Sequence, residues 1–292
     1  MPFSMKEFDM KVILAPTADL ANSVENPAVT VEAEYGDITV RGWRYTAAHH
    51  GRNSANPCPC VDTDIPAVDQ GETILVSHVD LDTLGGVARA MGWCLGLRRS
   101  FWELAAFVDI NGPHKLTQSG ADEADIAALY AYWAWSQDNR GPRRENDKVH
   151  DVTLEVRLHL DAVEKILAGH TELLAAGEEF RKAGEALNEE SFVERCGGVI
   201  VRVSPAFTNH LYTTPSGEVC EAVVAFNTKS GSITLSFAEA DDPRNACEIM
   251  QAVFGPEAGG HKGIAGSPRG ARQGLGPLED IFRNCRGLLK RE

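Results

Sequence analysis

His78, Asp80 and Asp82 occupy alternate positions in the stretch ETILVSHVDLDTLGG, residues 72 to 86, and all three are side chains that bind divalent cations. Thr73 to Ser77 is an apolar run too short for a helix, so it reads as a buried strand that hands these ligands to the loop after it. Alternate side chains of an extended segment share a face, which lets the trio meet one or two hard-to-borderline cations. Leu84 to Leu97 follows as an apolar, Gly- and Ala-bearing helix, so the loop lies at the carboxyl end of a strand, where open α/β sheets hold ligands. An Asp after a strand is also a common helix N-cap; it is the complete His-x-Asp-x-Asp set that favours metal.

Further ligand types lie on both sides. Leu104 to Val108 reads as a second buried strand, with Asp109, Asn111 and His114 on a Gly-Pro turn at its end. Asp109 suits a bridging or terminal ligand of a dinuclear site, whereas His114 fits a ligand and plain turn chemistry equally. Upstream, Ala47-Ala48-His49-His50-Gly51 leads into the loop RNSANPCPC. The adjacent histidines His49 and His50 can reach a shared site or form an exposed polar turn, and spacing does not separate the two. Cys58 and Cys60 in NPCPC stand closer than a usual zinc pair and read as a structural loop. Near the other end, PEAGGHKGIAGSPRG carries His261, Lys262 and Arg269 and has no apolar stripe. The amides of Gly259 and Gly260 with His261 and Arg269 form a cradle for a phosphate or carboxylate, the alternative being a flexible solvent loop.

The elements that must position these groups are legible. Two β-type runs, VTVEAEYG and DITVRGWRYT, flank a hairpin turn at Gly36-Asp37. Asp122 to Gln137 is an aromatic-rich helix whose Leu129 and Trp133 belong to a core, and DNRGPRRENDK is a charged break. Residues 149 to 187 are helical in pattern with Gly169 as an interruption; His159 and His170 there read as packing or surface residues. From Gly197 the texture turns to strands, GGVIVRVSP, EAVVAFNT and SITLSFAEA, followed by the amphipathic helix ACEIMQAVFG. The expected fold class is α/β: an N-terminal parallel-sheet domain over 1–146, a helical linker over 147–190 and a smaller α/β domain over 191–292.

Composition narrows the function. The 292-residue chain has the apolar and charged content of a globular protein, and its net charge of −14 argues against a grip on long nucleic acid, which needs clustered cations. A small phosphorylated substrate held through metal remains compatible. No run approaches a membrane span and the start shows no signal peptide, so a cytoplasmic location is expected, with the seven cysteines reduced. Homodimerisation stays open.

His78-Val79-Asp80-Leu81-Asp82 resembles the first motif of the DHH-type phosphoesterase superfamily. Ala258 to Gly266, AGGHKGIAG, is similar to the Gly-Gly-His loop of the DHH-associated C-terminal domain, and the preceding strand, strand, helix order matches that domain. The likeness covers residues 72–115 and 195–272. It implies two divalent ions, Mn2+ or Mg2+, in the first domain and a substrate-binding second domain. It also implies hydrolysis of phosphodiester or phosphoanhydride bonds in a small nucleotide or short oligonucleotide. Carried over, His78, Asp80 and Asp82 are metal ligands, Asp109 is a bridging carboxylate, and Gly259, Gly260 and His261 touch substrate. No Asp-His-His follows the first motif; Ala48-His49-His50 lacks the Asp and lies upstream, so either the order is rearranged and His49 and His50 supply the site, or one metal position is altered. Ser236-Phe237-Ala238 lacks the Arg of the family's second strand, for which Arg269 or Arg244 could substitute. Two alternatives stand beside the enzyme: a non-catalytic nucleotide-binding or sensor protein, and a metal hydrolase with a non-phosphate substrate.

Overall fold

Runs of two to four residues cannot complete a helix, and five of them assemble the first sheet. The structure is a computed structural model that describes residues 10–93, 98–239, 242–268, 270–274 and 276. In chain order its first part contains β1 (Lys11–Leu14), α1 (Ala18–Ser23), β2 (Val29–Val31), β3 (Glu34–Tyr35), β4 (Ile38–Thr39), β5 (Tyr45–Ala47), β6 (Thr73–Val76), α2 (Leu81–Ala90), α3 (Arg99–Asn111), α4 (Glu123–Asp138), β7 (His150–Asp151) and α5 (Thr153–Leu167). The sheet order is β5-β2-β6-β1-β7, parallel throughout except for the antiparallel edge β7. Val29, Val31, Ile74, Leu75 and Val76 are all fully buried, as expected where helices cover a parallel sheet. The fold class is α/β.

The chain divides into two compact units, one of Met1–Asn111 with Gln118–Phe180 and one of Gly112–Thr117 with Arg181–Glu292. α6 (Thr171–Ser191) begins in the first and ends in the second. The second unit continues with β8 (Phe192–Cys196), β9 (Val199–Ser204), β10 (Ala222–Asn227), β11 (Ser232–Phe237), α7 (Ala246–Phe254), β12 (Gly259–Gly260) and β13 (Ile264–Gly266). Its sheet runs β12-β13-β11-β10-β9-β8, with only β9 and β10 parallel. Ile249 and Met250 of α7 pack on Val201, Val224, Ile233 and Leu235 to form its core. Arg202 is fully buried on β9, yet among the described residues its guanidinium binds only neutral oxygens, those of Asn188, Ser191, Leu211 and Thr213. Burial pulls its pKa down to about 10. Among the described residues no helix is long and apolar enough to cross a membrane.

Three sequence expectations change. The stretch 104–108 is not a strand but lies inside α3, because Phe101, Trp102, Leu104 and Ala105 are buried with helical spacing and the five-residue apolar window cut that stripe short. The two β-type runs do not form one hairpin: only β3 and β4 pair around Gly36, at φ +62°, while β2 and β5 lie parallel. α2 starts at Leu81 rather than Leu84, since Asp80 caps it, and ends at Ala90; residues 94–97 lie outside the described residues.

α2 also explains its own Gly-Gly pair. A Cβ at Gly85 would lie 2.3 Å from Cys60 Cβ, and one at Gly86 would lie 2.6 Å from Pro59 Cβ and 2.7 Å from Val31 Cγ1. The missing side chains let the 58–60 loop seat directly on the helix. Gly85→Ala therefore destabilises the protein by about 2 kcal/mol or more, although alanine in a helix is ordinarily favoured over glycine by about 1 kcal/mol. A chemical denaturation curve reads this; a stabilised variant would show the loop is not pinned there.

Candidate metal centre

Three adjacent parallel strands end at one place, and within three residues of each end stands a ligand type. β5 releases Ala48, His49 and His50; β2, between its neighbours, releases Glu32; β6 releases Ser77 and His78. Because Val31 is level with Ala47 on one side and Val76 on the other, Glu32 stands centrally among the histidines. Its backbone turns at φ +50°, a conformation non-glycine residues rarely adopt. Its amide donates to Ala47 O at 2.8 Å, and its carbonyl accepts from Ser77 Oγ.

The Glu32 carboxylate is buried and divides its two oxygens between two sets of partners. Oε1 lies 2.6 Å from His49 Nε2 and 3.0 Å from His50 Nε2. Oε2 lies 3.0 Å from His78 Nε2 and accepts from Thr83 Oγ1 at 2.8 Å. Beyond His78 stands Asp80, whose Oδ2 is 3.0 Å from the same Nε2 while its Oδ1 accepts the Thr83 amide at 2.9 Å. Asp80 thus serves as helix cap and cluster member at once. Beyond His49 stand Asp82 and Asp109, with Oδ2 atoms 3.3 and 3.2 Å from its Nε2. Asp82 lies in the first turn of α2, which takes it away from His78 and Asp80 and sets its Oδ1 to accept the Cys60 amide at 2.9 Å. Asp109 comes from the last turn of α3.

Charge is unevenly matched in this pocket. Burial alone would neutralise Glu32, but its contacts with His49, His50 and His78 outweigh that and hold it well below the usual carboxylate range. Burial works against charge on His49 and His78 too, yet the surrounding carboxylates raise them to about 12 and about 10. His50 is likewise raised, by Glu32. Burial opposes ionisation of Asp80, but His78 prevails and lowers its pKa. For Asp109 the balance goes the other way: burial, then Asp82 and Glu32, outweigh the pull of His49 and push it up to about 6. Burial raises the Cys58 thiol, although His49 at 3.5 Å pulls the other way.

A divalent cation fits what this arrangement lacks. Among the described residues, the Oδ2 atoms of Asp82 and Asp109 are buried and accept no hydrogen bond. Three ligand groups, each with its atoms within 4.8 Å of one another, overlap here: Glu32, His49, His50 and Asp109; His49, Cys58, Asp82 and Asp109; and Glu32, His78 and Asp80. Glu32, His49 and Asp109 belong to two groups each, the overlap that a pair of neighbouring ions requires.

Of the residues singled out in the sequence, the structure brings together His49, His50, His78, Asp80, Asp82 and Asp109. His114 is not among them: it belongs to the second unit, where its ring meets Tyr212 edge-on at 5.0 Å and burial lowers its pKa. Gly259 and Gly260 form β12 and His261 opens the turn into β13, its side chain exposed with Nδ1 accepting the Gly263 amide at 3.3 Å. Gly260 has a structural cause, since at φ +151° a Cβ would lie 2.4 Å from Ile264 O; Gly259 meets nothing. Arg269 lies outside the described residues. Arg244 lies over the Phe237 ring and pairs with Asp242 and Glu221. Glu32 and Cys58 are the members sequence reasoning missed. Glu32 ends an alternating β-run, and its signal was position: the first residue beyond a strand neighbouring the His78 strand.

In the metal-free protein, Asp109→Asn removes a partly buried carboxylate whose ionised form burial and neighbouring acids disfavour, so we expect it to stabilise by about 1 kcal/mol at neutral pH, or ~2 to 4 °C in Tm. The same variant loses the Tm gain that wild type shows with Mn2+. Thermal melts with chelator and with metal check both signs; a variant destabilised in chelator would mean Asp109 is held as a structural anion.

No family model matches the chain, and no curated protein matches its sequence. Among solved structures, the pGpG-specific phosphodiesterase PggH of Vibrio cholerae aligns over 85% of this chain and 89% of its own at 13% identity and a TM-score of 0.39. RecJ of Thermus thermophilus, solved with Mn2+, aligns over 97% of this chain at 14% identity and a TM-score of 0.37, and the chain spans 45% of the RecJ chain. A Helicobacter pylori protein described as uncharacterized aligns over 76% of each chain at 11% identity and a TM-score of 0.22. Alignments at these scores carry no residue correspondence, so function is argued from the side chains.

Proposed function

We propose that this protein is a metal-dependent phosphoesterase that hydrolyses phosphodiester or phosphoanhydride bonds in a small nucleotide or short oligonucleotide. The observation that carries the reading is the buried Glu32 carboxylate, one oxygen toward His49 and His50 and the other toward His78, inside overlapping ligand groups. When bound there, a pair of divalent cations supplies Lewis-acid charge for a phosphoryl group and makes water more acidic. Glu32, Asp80, Asp82 and Asp109 balance that charge, and His49, His50 and His78 orient around it. The Asp absent from the His49-His50 motif suggested a lost ligand and so a sensor; Glu32 stands in that gap and favours the enzyme. The sequence likeness of AGGHKGIAG to a phosphate-binding loop supports a substrate-binding role for Gly259, Gly260 and His261. The described free cysteines fit the cytoplasmic location we assign.

A panel of short oligonucleotides, pGpG, pyrophosphate and bis(p-nitrophenyl) phosphate, assayed with Mn2+ and with Mg2+, tests the class. We expect turnover of at least one phosphodiester, lowered at least ~100-fold in Glu32→Gln and in Asp82→Ala with circular dichroism unchanged, the scale on which a preorganised electrostatic group acts. Full activity in folded Asp82→Ala rules the site out. His261→Ala should raise KM by about tenfold, some 1.4 kcal/mol of binding, with kcat little altered; an unchanged KM removes the loop from substrate binding.

A further inference from the structure

One member of the cluster does not belong in a site made only of nitrogen and oxygen. Cys58 is buried with Sγ 3.5 Å from His49 Nδ1, and it shares with His49, Asp82 and Asp109 a set of ligand atoms all within 4.8 Å. The Asp82 side chain is 1% exposed, and its Oδ2 accepts no hydrogen bond while pointing toward the same imidazole. The nearby thiol of Cys60 is employed differently, donating to Trp102 O at 3.3 Å. Among the described residues, Cys58 Sγ has only Ala106 O at 3.9 Å as a carbonyl acceptor, a long contact even for sulfur. Its placement follows from packing, since Pro59 and Cys60 are seated on Gly86 and Gly85 of α2.

We propose that His49, Cys58, Asp82 and Asp109 form a mixed thiolate, imidazole and carboxylate position for a borderline divalent cation, zinc or ferrous iron. Glu32, His78 and Asp80 form a nitrogen-and-oxygen position for manganese or magnesium. This rests on the reading of the cluster as a metal centre and adds that its two halves differ in the metal they take. Thiolate ligands select softer ions, whereas carboxylate-rich sets suit manganese and magnesium. Four ligands from Cys, His and Asp are a number and kind that zinc accepts in tetrahedral geometry. Binding there forms sulfur–metal and nitrogen–metal bonds as the Cys58 thiol proton and one His49 imidazolium proton leave to solvent.

The 292-residue chain, stripped with chelator, is titrated with Co2+ and followed in the near ultraviolet. A thiolate-to-cobalt charge-transfer band should grow to a single equivalent, vanish in Cys58→Ser and persist in Cys60→Ala. Stoichiometric Zn2+ should abolish it, and excess Mn2+ should not. Zinc affinity of Cys58→Ser should fall at least about tenfold. Since a variant can fail to fold, zinc-loaded wild type is also measured by X-ray absorption, with one sulfur expected at ~2.3 Å. Cobalt bound without the band, or zinc with only nitrogen and oxygen neighbours, overturns the mixed position and leaves the metal centre standing. A chain that binds none of cobalt, zinc or manganese overturns both.

Discussion

A single buried carboxylate, that of Glu32, holds three imidazoles that come from two other strands. An anion of this kind cannot sit in a dry interior unless its charge is met, and here it is met from both sides. The parallel sheet makes that possible. With β2 between β5 and β6, the residue after β2 has a strand end on each flank, and the levels of Val31, Ala47 and Val76 put all three ends at one height. The positive φ of Glu32 is the local cost, of order 1 to 3 kcal/mol for a strained backbone, held in place by its bonds to Ala47 and Ser77.

Around that anion the first unit carries more negative charge than stability asks for. Asp80, Asp82 and Asp109 join Glu32 within one pocket, and Asp109 has its ionised form disfavoured by burial and by its neighbours. A fold selected for stability alone would replace Asp109 by a neutral residue of similar shape. The histidines, held in their charged form by these acids, stand in partly for the positive charge that a cation supplies. Helix packing fixes the geometry on the other flank, where α2 contributes Asp82, α3 contributes Asp109, and the glycines of α2 admit the loop that carries Cys58.

Much of this was readable from residue order, for physical reasons that differ by region. The strand before His78 and the strands and helix of the second unit follow from short aliphatic runs and from glycines at their ends, which are local signals. Asp109 was expected on the wrong element, because five apolar residues look alike in a strand and in the middle of a helix; the wider stripe of Phe101, Trp102 and Leu104 distinguishes them. Glu32 was invisible because its importance depends on which strands are neighbours, and strand order is a tertiary fact. Cys58 was dismissed on its spacing to Cys60, yet its partner in space is His49, nine residues away in sequence. His114 had the right chemistry and a suitable turn, and folds with the second unit instead.

The Gly-Gly-His turn shows why a motif is weaker than the geometry behind it. Gly260 is required by its own hairpin, where any side chain would strike Ile264 and Ala265, so its presence says nothing about a ligand. The turn is further tied down by the Ala246 amide, which donates to Lys262 O at 2.7 Å. Gly259 and His261 carry no such obligation: one meets no neighbour where a Cβ would stand, and the other exposes its ring. Whatever functional weight the loop bears therefore falls on these two positions, and a substitution at Gly260 would confuse loss of the hairpin with loss of binding. The same separation applies to the first unit, where Asp82 both anchors Cys60 and faces His49, while Glu32 contributes to the cluster through both of its oxygens.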